Sequence, residues 1–119
     1  MAGKIIGIMF LSRNVAHKEH LKTGSFAQHM ALGSFYEDII GMADKLAETY
    51  QGRHGIIKDI PTMSNEGSGA IAATLESHMK LIEKARYTEI DKTDSALQNI
   101  IDEIVGLYLT TLYKLKTLK

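Results

Sequence analysis

Two histidines and two carboxylates stand in an order that could hold a metal ion. His17 and His29 are followed by Asp44 and Glu48, and the two acids are separated by four residues. On a helix, that spacing places both carboxylates on one face. Imidazole nitrogen and carboxylate oxygen together suit iron, manganese or zinc. We therefore predict a metal site built from these four residues.

The composition limits the class of protein to which these residues could belong. The chain has 119 residues, with 14 basic and 14 acidic side chains and no cysteine. This length fits one domain with its own core. The balanced charge disfavours a nucleic-acid binder, which usually carries a basic patch. Without cysteine, histidine and carboxylate are the strong metal ligands that the chain has.

The N-terminal apolar segment gives no indication of membrane association. Residues 5–11 form an apolar run that is too short for a bilayer span or for a convincing secretory signal. We expect a cytoplasmic protein, in a bacterium or in a phage-infected cell.

The spacing of apolar residues predicts four helices. The first is expected over residues 2–22, with Gly24 as its C-cap, and the second from Ser25 until Gly52 ends it. Ser25 and Gln28 match a capping box. The third helix is expected over residues 70–88, and the fourth from about Asp91.

The predicted fold class is all-α. The connections between helices 1 and 2 and between helices 3 and 4 are short, whereas residues 53–68 form a long connection around Pro61. This pattern is typical of a four-helix bundle with ferritin-like connectivity, which has one long crossover between helices 2 and 3. The isoleucines of that connection are expected to cover the bundle.

Helix geometry decides how the four candidate ligands could meet. On one straight helix, His29 and Asp44 would lie roughly 22 Å apart at about 1.5 Å per residue. A shared ion would therefore have to lie between subunits of a homo-oligomer. His17 and His29 could meet at the end of one helical hairpin, and His20 makes a cluster of three histidines a competing arrangement.

The stretch that carries these residues resembles the Dps and bacterioferritin-like mini-ferritin family. The similarity covers His17, the segment Ser25-Phe26-Ala27-Gln28-His29, and the segment Asp44-Lys45-Leu46-Ala47-Glu48. It implies a hollow homo-oligomer that binds and oxidises ferrous iron, with histidine from one subunit and the Asp and Glu pair from another. The family has a carboxylate where this chain has Gly33. The sequence also resembles small phage proteins with the same hairpin pattern.

A second hypothesis is a non-enzymatic helical oligomer that sequesters a small anionic, nucleotide-like molecule between chains. The candidate binding residues are Thr23, Ser25, His20, Arg53 and His54. The first three lie near a helix N-terminus, where backbone N–H groups favour phosphate. A structural oligomer with neither site is the third alternative. For His54, His78 and the tyrosines, ordinary packing is the simpler interpretation.

Overall fold

Four helices and their connections make up the fold. The computed structural model describes residues 2–64, 67 and 69–118, and no strand occurs in this part of the chain. The helices are α1 (Gly3–Lys22), α2 (Phe26–His54), α3 (Ile71–Glu89) and α4 (Ser95–Thr117). The all-α prediction with four helices is therefore confirmed. In the described part of the chain, no helix is long and apolar enough to cross a membrane.

The helices form a bundle with four corners. α1 packs against α2 and α3, and α4 packs against the same two helices, so α1 and α4 lie at opposite corners. The predicted inner faces are buried, including Ile5, Ile8, Phe35 and Ile39. At the centre, the rings of Phe35 and Tyr108 meet edge to face with centroids 5.1 Å apart. The core thus follows the 3- and 4-residue spacing of the sequence.

Local capping sets the start of α2 and corrects two of the expected helix ends. The Ser25 hydroxyl accepts a hydrogen bond from the backbone N–H of Gln28 at 3.2 Å, as the capping motif predicts. The predictions for Gly24 and Gly52 are wrong. Extended backbone at Thr23 already ends α1. α2 continues through Gly52 to His54, and it ends at Gly55, whose φ of 86° favours glycine.

The expected start of α4 is also corrected. The helix begins at Ser95, with Asp94 as its N-cap accepting from the backbone N–H of Leu97 at 3.3 Å. Asp91 lies outside the helix, because its carboxylate accepts from the backbone N–H and the hydroxyl of Thr93. These bonds lower the pKa of Asp91, with the backbone bond as the larger cause.

Two glycines of α1 let the connection between α2 and α3 lie directly against the helix. A Cβ at Gly3 would stand 2.1 Å from the carbonyl oxygen of Asp59, and one at Gly7 would stand 2.6 Å from that of Pro61. We call residues 55–64 the strap. Gly67 and Gly69 then border a groove with Val15 and Lys18, nearer the other end of α1. The connection therefore follows α1 for much of its length.

Candidate metal centre

His20 and His29 form a reciprocal pair at the end of the α1–α2 hairpin. The Nδ1 atom of His20 lies 2.7 Å from the carbonyl oxygen of His29, and Nδ1 of His29 lies 2.8 Å from the carbonyl oxygen of His20. The two rings stack with centroids 3.7 Å apart and planes inclined by 18°. Each histidine thus fastens its ring to the backbone of the other helix.

These hydrogen bonds determine which ring nitrogen is available. A carbonyl oxygen can only accept, so Nδ1 must carry the proton in both rings. In the neutral rings, Nε2 then holds the free lone pair. Histidines that bind metal usually donate their other ring N–H to a carbonyl or carboxylate in this way. Nε2 is therefore the nitrogen of each ring that could bind a metal ion.

Gly33 on α2 makes room for the His20 ring. A Cβ at this position would stand 3.1 Å from Cε1 and 3.3 Å from Nδ1 of His20. Any larger side chain would push the ring aside. The space beside residue 33 is therefore occupied by the imidazole of His20.

His17 lies beside this pair and is held by aromatic contact. Its ring stacks on Tyr36 with centroids 4.2 Å apart and planes inclined by 14°. The ring of His20 meets the edge of Tyr36 at 5.3 Å, and the Arg13 guanidinium lies 5.6 Å from the Tyr36 centroid. The expected cluster of three histidines is thus joined through Tyr36, whose role sequence reasoning had assigned to ordinary packing.

Asp44 and Glu48 do not meet the histidines of their own chain. Both are exposed on α2, and neither is ion-paired or hydrogen-bonded through its side chain within the described residues. Asp44 follows His29 by fifteen residues of continuous helix, which corresponds to roughly 22 Å. Across residues 2–64, 67 and 69–118, no three His, Asp or Glu side chains are placed to hold one ion. The predicted four-residue site therefore needs a second chain.

The residues of the anion hypothesis divide between the two ends of α2. Thr23 and Ser25 lie before its first turn, where Thr23 accepts from the backbone N–H of Ser25 and Ser25 caps the helix. Arg53 and His54 lie in its last turn, roughly 40 Å away at 1.5 Å per residue. Arg53 is ion-paired with Asp94 at 2.9 Å. Within one chain these residues do not form one pocket, and a pocket between chains stays a prediction.

A buried polar chain in the core was not predicted from the sequence. The Tyr108 hydroxyl donates to Oγ of Ser12 at 2.6 Å, and this Oγ lies 2.8 Å from Nδ1 of His78. All three residues are buried. Burial raises the pKa of Tyr108 above its usual range, against a smaller opposing effect of the bond to Ser12. Each residue lies on an apolar stripe, and this was the signal that could have suggested an internal partner.

The fold and site define a small all-α, four-helix protein with a histidine and tyrosine cluster at one bundle end. The chain belongs to the family described as a family of unknown function, DUF5856, whose model matches residues 20–115. No curated protein and no solved structure matches the chain significantly. The resemblance to mini-ferritins therefore stays a prediction.

Proposed function

We propose that the protein is a homo-oligomer of ferritin-like bundles that binds iron, manganese or zinc between subunits. His17 and His29 of one chain would bind the ion together with Asp44 and Glu48 of another. Ferritin-like connectivity belongs to this proposal, and the course of the strap along α1 supports it.

One observation carries the proposal: the bond from Nδ1 of His29 to the carbonyl oxygen of His20. It leaves Nε2 of the neutral ring as a metal ligand and fixes the ring, as in known metal sites. The carboxylates of the second half of the site have no ion pair among the described residues, and this supports the proposal. Asp44 and Glu48 are exposed one turn apart, so they are accessible to another subunit.

The proposal concerns binding rather than oxidation of the ion. A carboxylate ligand stabilises oxidised iron through its charge, and Gly33 supplies none. Zinc and manganese fit the same donors and need no change of oxidation state. Stoichiometric binding of one of these ions, without rapid oxidation of ferrous iron, is therefore the expected behaviour.

The test is the metal content of the oligomer, purified without a histidine tag. We expect His29→Ala and Asp44→Ala each to remove tight binding, because each change removes one ligand of the shared ion. Asp38→Ala removes an exposed carboxylate on another part of α2 and serves as the matched control. Unchanged metal content in both ligand variants would reject the intersubunit site.

A further inference from the structure

We infer that His17 and His20 form a chelate within one chain for ions that prefer nitrogen ligands, such as Cu²⁺, Ni²⁺ and Zn²⁺. The inference rests on the proposed function for the general role of metal binding. It shares His17 and Zn²⁺ with that proposal, but His20 replaces the other three ligands and no second subunit is needed.

The positions of the two histidines suit a chelate. They are three residues apart on α1, so their side chains leave the same face of the helix one turn apart. Their ring centroids are 6.2 Å apart, and the planes are inclined by 53°. In a tetrahedral site, two imidazoles bound through nitrogens about 2.1 Å from the ion have centroids roughly 5 to 5.5 Å apart. The observed separation is therefore within about 1 Å of a chelating one.

The His20 ring is already set for this role. Its Nδ1 donates to the carbonyl oxygen of His29, and its Nδ1–Cε1 edge lies against Gly33. Because the two nitrogens of an imidazole point in diverging directions, Nε2 points away from that carbonyl. The hydrogen bond both orients the ring and increases the basicity of the ligand nitrogen.

The His17 ring is held by its face, which leaves its edge available. Tyr36 stacks on that face nearly in parallel. Within the described residues, His17 makes no hydrogen bond through its ring nitrogens. Both nitrogens lie in the plane of the ring, so the stack does not block them. Tyr36 thus restricts the ring without occupying its lone pair.

The choice of ion follows from the donors. Imidazole suits zinc, copper and nickel, whereas manganese favours carboxylate oxygen. At the position on α2 that faces His20, Gly33 brings no oxygen ligand. No third His, Asp or Glu is placed to bind the same ion as these two rings in the part of the chain that the structure describes. Water would therefore complete the coordination of the ion.

Calorimetric titration of the untagged full-length protein with Ni²⁺ and Zn²⁺, and separately with Mn²⁺, tests the chelate. In Asp44→Ala, which lacks an intersubunit ligand, we expect Ni²⁺ and Zn²⁺ to bind and Mn²⁺ not to bind. His17→Phe preserves a ring that can stack on Tyr36 but has no ligand nitrogen, and it should weaken binding by more than about tenfold. His20→Ala should do the same. His54→Ala, at the other end of α2, is the matched control.

The carboxylate variants separate this inference from the proposed function. The one-chain chelate predicts full Ni²⁺ and Zn²⁺ affinity in Asp44→Ala and Glu48→Ala. Loss of binding in those variants, with wild-type affinity in His20→Ala, would overturn the chelate and support the intersubunit site. Absence of Ni²⁺ and Zn²⁺ binding in the wild-type protein would reject the chelate. Because His20→Ala could unfold the hairpin end, a circular dichroism melt accompanies each titration. The decisive measurement is the Zn²⁺ affinity of Asp44→Ala, which the chelate predicts to be unchanged and the intersubunit site predicts to be lost.

Discussion

The ring of His20 lies where a side chain at Gly33 would begin: 3.1 Å separates Cε1 of His20 from the position of a Cβ at residue 33. This close approach links the sequence to the site. It explains why a glycine stands inside α2, where glycine weakens a helix by about 1 kcal/mol. It also makes the histidine pair sensitive to one methyl group.

Gly33→Ala should therefore disturb the histidine cluster. The added methyl group would require the His20 ring to shift by a few tenths of an ångström and would strain both reciprocal hydrogen bonds with His29. We expect weaker Ni²⁺ and Zn²⁺ binding and a lower melting temperature, measured by calorimetry and circular dichroism. Gly41→Ala, also within α2, meets no atom within 4 Å. This control should gain about 0.5–1 kcal/mol from its improved helix propensity. Equal effects of the two substitutions would contradict the account.

Ser12→Ala should destabilise the bundle through its polar core. The change removes the acceptor of the Tyr108 hydroxyl and the Ser12 partner of His78 at buried positions. A buried polar group that loses its partner costs about 1–3 kcal/mol. Urea unfolding measures the difference. Ser34→Ala, at an exposed position of α2, should change stability by less than about 0.5 kcal/mol. An unchanged free energy of unfolding in Ser12→Ala would show that the chain of hydrogen bonds contributes little to stability.

Burial of Tyr108 predicts a loss of stability in alkali. Its pKa is raised in the folded protein, so the unfolded chain ionises first, near the ordinary value of about 10. The contribution to stability is complete below that pH and falls as pH rises above it. Urea unfolding at increasing pH should show this decline, together with an increase in tyrosinate absorbance on unfolding that Tyr108→Phe lacks. Tyr108→Phe should have a flatter profile, and an unchanged slope in that variant would contradict the assignment.

The packing of the strap against α1 should depend on Gly7. Gly7→Ala would place a Cβ 2.6 Å from the carbonyl oxygen of Pro61, so either the strap or the helix must move. We expect a lower melting temperature and faster amide exchange in residues 56–64. Gly106→Ala on α4 meets no atom within 4 Å and should be neutral or stabilising. Protection of the strap amides equal to the wild type in Gly7→Ala would show that the strap packs loosely.

Local rules predicted the helices better than their ends. The bond from Gln28 to Ser25 involves neighbours in sequence, so the motif was sufficient. Gly52 was expected to end α2, yet the helix continues, and Tyr50 and His54 meet one turn apart with centroids separated by 4.5 Å. One glycine weakens a helix by only about 1 kcal/mol. Packing and side-chain contacts can outweigh that amount.

The sequence analysis named the histidines that lie together, but it did not predict which two rings stack. The sequence indicates that His17, His20 and His29 meet at the end of a hairpin. Which two rings stack depends on the register between α1 and α2, which the three residues 23–25 determine. Gly33 was noted as a missing carboxylate, and its role in admitting His20 required the packing of both helices. The Ser12 network likewise depends on the positions of three separate helices.

The central claim is that this bundle binds a transition metal through its histidine cluster. Elemental analysis of the protein purified without a histidine tag, together with its oligomer mass, tests the claim most directly. The account predicts a stoichiometric transition metal that His17→Phe removes and His54→Ala retains. A wild-type protein that carries no metal and takes none up when Zn²⁺ or Fe²⁺ is supplied would contradict it.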